Sequence, residues 1–70
     1  MFKFSNFAHE IAMVSEKKNV DLGIAYEMVK ADIKAGKAHE YNTGDALPNF
    51  NFAKAHAEYM ALTDEEKANA

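Results

Sequence analysis

The sequence predicts an all-α fold of three principal helices and a short terminal one, and three observations carry that expectation. Apolar residues recur at helical spacing in three stretches, start and stop residues bracket those stretches, and thirteen alanines favour helix throughout. An apolar content of 49% with 11% aromatic residues is too high for a disordered tail, and 27% charged residues is ordinary for a globular chain. The expected organisation is one helical domain over residues 1–70, with helices at about 4–18, 21–35, 51–61 and 64–69 and a long connection at 36–50.

In the first segment, Phe4, Phe7, Ala8, Ile11 and Val14 share one face, and Ser5 or Asn6 is placed to cap its start. The opposite face carries Asn6, His9, Glu10, Glu16 and Lys17, with Met13 as its only large apolar member. Lys17-Lys18-Asn19 closes the segment, putting cations beside the last carbonyls.

Asp21 and Gly36 bracket the second segment as N-cap and left-handed stop. At about 100° per residue, Leu22, Ala25, Tyr26, Val29 and Ile33 make one stripe. Ile24 and Met28, with Ala31 and Ala35, make a second beside it, broken by Asp32, and only Gly23, Glu27, Lys30 and Lys34 form a clear polar face. A helix so widely apolar is either sandwiched between two neighbours or offers one stripe to another chain.

The connection contains Gly36, Asn42-Thr43-Gly44-Asp45 and Pro48, turn and breaker residues without a sustained period. The alternating runs Phe2-Lys3-Phe4 and Phe50-Asn51-Phe52 could pair as a ribbon, although three residues is short for a strand. The third helix is expected to start near Asn49 or Asn51, with Phe52, Ala55, Tyr59 and Leu62 inward. Thr63-Asp64-Glu65-Glu66 is a capping-box pattern that announces the fourth. The expected core is Phe4, Phe7, Ile11, Val14, Leu22, Ala25, Val29, Ile33, Phe52, Tyr59 and Leu62.

Composition excludes more functions than it suggests. Without cysteine there is neither a disulfide nor a thiolate site, which favours a reducing, cytoplasmic setting, and no stretch is apolar and long enough to serve as a membrane span. His9, His39 and His56 lack metal-ligand spacing, so no metal or cofactor is expected. Ser5, Ser15, Thr43 and Thr63 sit in no nucleophile elbow, and three isolated glycines build no phosphate loop, so no catalytic residue is expected. Nucleic-acid binding is disfavoured by a net charge of −3 and by eight lysines with no arginine, the residue best suited to guanine. Lys30, Lys34 and Lys37 form a basic ridge that a solvated face explains.

The remaining expectation is a non-enzymatic protein-binding module, an inhibitor, adaptor or accessory subunit of a size that small phage genomes encode. Its expected contact residues are Ile24, Met28, Tyr41 and Phe50. The alternatives are a self-assembling structural protein using the same surface, and a small-ligand binder built on the aromatics around Tyr41, Phe50 and Phe52.

Overall fold

A computed structural model gives the fold and describes residues 2–37 and 50–70. The architecture is all-α. A 3-10 turn, Phe4–Phe7, leads into α1 (Ala8–Lys18), followed by α2 (Leu22–Ala35), α3 (Phe52–Met60) and α4 (Asp64–Asn69), with no strand among the described residues. The helix ends follow the sequence chemistry closely. Asp21 Oδ1 accepts the Ile24 N–H at 2.8 Å, and Asn51 Oδ1 accepts that of Lys54 at 3.0 Å. Thr63 and Glu66 close a reciprocal capping box at 3.2 and 2.9 Å.

Helices α1 and α2 both terminate through a left-handed residue, Asn19 with φ 56° and Gly36 with φ 69°. At each end two backbone N–H groups fold back on the last turn, Val20 to Ser15 and Asn19 to Glu16 in α1, Lys37 to Asp32 and Gly36 to Ile33 in α2. This paired pattern satisfies carbonyls that a helix end otherwise leaves bare.

The first segment is not one continuous helix. Phe7, with φ −101° and ψ 33°, leaves the α region and separates the 3-10 turn from α1. A tight turn of this kind brings residues i and i+3 onto one side, so Phe4 and Phe7 both turn toward the protein. Phe4 is buried at 1% exposure, and Phe7 is half-buried. Ser5 and Asn6 do not cap: the N-cap positions are Lys3 and Phe7, and neither makes a side-chain cap bond. Met13, expected on the solvated face, is half-buried against the core.

Helix α2 is the centre of the fold, because α1, the 3-10 turn and α3 all pack on it while α1 and α3 scarcely meet. A single stripe, Ala25, Val29 and Ile33, serves all three neighbours and is fully buried. With Phe4, Ile11, Val14, Phe52, Ala55 and Tyr59 it forms the core. Burying each large member contributes about 1.5–3 kcal/mol against its exposed state.

Leu22 departs from the expected core, being 60% exposed. It is the first residue of α2, and the chain has just turned out of α1 at Asn19; the inward place at that end is taken by Val20, which packs on the core. Phe7 and Leu62 are half-buried at the margin. The alternating runs Phe2–Phe4 and Phe50–Phe52 form no ribbon; within each run the two rings meet instead. Tyr41, His39 and most of the 36–50 connection lie outside the described residues.

Candidate functional site

Two surfaces stand out. The first is the outer face of α2. Ile24 is 50% exposed, Ala31 and Ala35 are exposed, and Met28, one turn on from Ile24, is half-buried where its side chain reaches back to the core. The sequence left open whether both stripes of α2 are sandwiched. Among the described residues, the buried stripe is Ala25, Val29 and Ile33, while Ile24, Ala31 and Ala35 of the second stripe are exposed and Met28 lies between the two. Among the described residues, Leu22 and Met60, 60% and 53% exposed, are the other large apolar side chains in water.

The second surface is a groove of about 440 Å³ between the start of α1 and the face of α3 with the residues that lead into it. Phe7, Phe50 and Ala55 are its apolar lining, and Glu10, Asn51, Lys54 and Glu58 its polar one. Glu58 also borders a neighbouring depression with Phe2, Ala61 and Leu62. The groove rests on a continuous train of rings that includes all five phenylalanines. Phe52 stacks on Phe50 at 4.2 Å between centroids, Phe50 on Phe7 at 4.8 Å, and Phe7 meets Phe2 at 5.7 Å. Phe2 then meets Phe4 edge-on at 5.3 Å, and Tyr59 closes the train 5.3 Å from Phe4. Each such pair adds about 0.5–1.5 kcal/mol beyond the area it buries.

The lysine ridge is partly occupied. Lys30 Nζ lies 5.6 Å from the centroid of Phe4 and 5.8 Å from that of Tyr26, and Lys34 Nζ lies 5.9 Å from Phe4. The two stems roof the buried Phe4 ring while their ammonium groups reach water, so these cations serve the fold first. Lys67 does the same over Tyr59 at 5.5 Å.

His56 holds the end of α2. Its Nδ1 stands 2.9 Å from the Ile33 carbonyl oxygen, and because a carbonyl only accepts, Nδ1 carries the proton in this contact. His9 is exposed on α1. Among the described residues, no group of three or more His, Asp or Glu side chains is placed to share a metal ion. No helix among them is long and apolar enough to cross a membrane.

Of the four expected contact residues, the structure brings Ile24 and Met28 together on α2 and places Phe50 elsewhere, in the groove beside Phe7. Tyr41 lies outside the described residues. Sequence reasoning missed the groove, since Glu10 comes from α1 while Lys54 and Glu58 come from α3, and nothing local joins the two helices. Compared with family models, curated proteins and solved structures, the chain matches none.

Proposed function

We propose that this chain is a non-enzymatic protein-binding module, an inhibitor, adaptor or accessory subunit that acts by occupying a partner through the outer face of α2. The observation that carries this reading is the exposure of Ile24 at 50%, on a stripe continued by Met28, Ala31 and Ala35. A chain of 70 residues has little apolar surface to spare, and an exposed isoleucine in line with Met28, Ala31 and Ala35 offers a contiguous strip that another chain can cover. The groove, with Phe50 in its wall, offers a second contact site whose mixed carboxylate and ammonium lining suits noncovalent recognition. The large residues at one end of the α2 face and the small ones at the other favour a second reading, in which the face pairs with itself.

The test is affinity capture from the native cell with wild-type and Ile24→Asp baits, coupled to mass measurement of the complex. Position 24 is the third residue of α2, where a carboxylate complements the helix dipole, so the change leaves stability within about 0.5 kcal/mol. The expected result is a complex held by wild type and lost by Ile24→Asp at unchanged circular dichroism. Equal capture by both baits contradicts the reading, and so does loss of the fold, which would assign Ile24 to the core.

A further inference from the structure

We propose that the outer face of α2 is covered by the same face of a second copy, the two helices packed antiparallel about a two-fold axis. The proposal rests on reading this face as the association surface, and it names the partner.

The argument starts from the order of residues along the face, Ile24, Met28, Ala31 and Ala35, spaced by four, three and four like one seam of a coiled coil. Parallel pairing would set Ile24 on Ile24 and Met28 on Met28, with two alanine layers opposite one another. Such packing crowds the two layers at one end and leaves the two at the other end empty. Antiparallel pairing sets Ile24 against Ala35 and Met28 against Ala31, so each layer holds one large and one small side chain. Four layers of matched volume follow, and the alanines let the helices approach closely.

Charge gives an independent reason for the same orientation. Glu27 and Lys34 flank the seam on one side, one turn-pair apart, and both are exposed. In the antiparallel arrangement Glu27 of each copy faces Lys34 of the other, so the two-fold axis generates two complementary pairs. In the parallel one Glu27 approaches Asp32 across the seam, a like-charge contact. The Lys34 ammonium, 5.9 Å from the Phe4 centroid, is at the outer limit of that contact and has reach to spare.

The size of the face sets the strength. Helix α2 has 14 residues, roughly 21 Å at about 1.5 Å per residue, so a pair of them buries less than the approximately 1,200 Å² of a standard interface. The dimer is therefore weak, with a dissociation constant on the order of 0.1 mM.

Sedimentation equilibrium of the purified chain from about 10 μM to 1 mM at low salt spans that range. The expected result is a mass that climbs from monomer toward dimer. Glu27→Lys and Lys34→Glu each turn two attractive pairs into two repulsive ones and weaken self-association roughly tenfold. An equimolar mixture of the two variants regains wild-type affinity, and so does the chain carrying both changes. Circular dichroism checks the fold of each variant, since Lys34→Glu also gives up the ammonium beside Phe4, and Glu27→Lys, at an exposed position without that contact, keeps the test decisive. A wild type that stays monomeric at the top concentration overturns the second-copy proposal alone and leaves the face free for a different protein. A dimer that survives both charge swaps and Ile24→Asp overturns the assignment of the face as well. Weakening by the single swaps without recovery in the double variant overturns the antiparallel orientation.

Discussion

Replacing Gly36 by alanine tests how α2 is terminated and how α3 is fastened to it, because two costs meet at one atom. Gly36 has φ 69°, and placing any other L-residue there costs roughly 1 kcal/mol in backbone strain. A Cβ at this position would also stand 2.9 Å from Cδ2 of His56 and 3.0 Å from its Cγ and Nε2. The ring must therefore retreat. Retreat draws Nδ1 away from the Ile33 carbonyl and forfeits a hydrogen bond of about 0.5–1.5 kcal/mol. The sum is about 2 kcal/mol, near half of the roughly 3–5 kcal/mol available to a domain this small. In a chain of this length it lowers the thermal midpoint by about 8–16 °C. The assay is thermal unfolding by circular dichroism of Gly36→Ala, His56→Ala and the double variant. Without the imidazole, alanine at 36 meets no ring, so the double variant is more stable than the sum of the singles by about 1 kcal/mol. Additive losses, or a Gly36→Ala midpoint within about 2 °C of wild type, would refute the reasoning.

Two further expectations follow from burial and ring packing. Ile33→Ala, at a fully buried position, costs about 2–5 kcal/mol and leaves much of the chain unfolded, whereas Leu22→Ala, at 60% exposure, changes stability by no more than about 0.5 kcal/mol. Urea titration separates them, and equal midpoints would mean that α2 is rotated from the orientation described. Phe50→Ala removes a ring stacked on both Phe7 and Phe52 and lowers stability by about 1–2 kcal/mol, read as a drop of several degrees, without changing association through α2. Lost association at an unchanged midpoint would make Phe50 a binding anchor instead.

Local chemistry is what the sequence makes readable. Asp21, Gly36 and the Thr63-to-Glu66 box mark helix ends through bonds to residues three to five away, and the structure forms those bonds. The inward stripe of α2 is readable for the same reason, since its period is a property of one helix. The misreadings begin where a tertiary neighbour decides. Leu22 has the right phase for the core and lies beyond the reach of α1, while Met13 has the wrong phase and is drawn inward. The break at Phe7 sets its ring against Phe2 and Phe50, the second of them 43 residues away. No window of sequence contains the groove, because its walls come from the start of α1 and from α3 with the residues that lead into it. His56 finds its hydrogen-bond partner 23 residues away, beyond any local pattern.

Residue-resolved NMR across a hundredfold dilution of the isotopically labelled chain measures most directly which surface associates. The account predicts that the methyl signals of Ile24, Ala31 and Ala35 move with concentration, while those of the buried Val29 and Ile33 and the groove residues Phe7, Phe50 and Lys54 hold still. Shifts gathered in the groove, or none at any concentration, would contradict the claim that the outer face of α2 is where this protein meets a copy of itself.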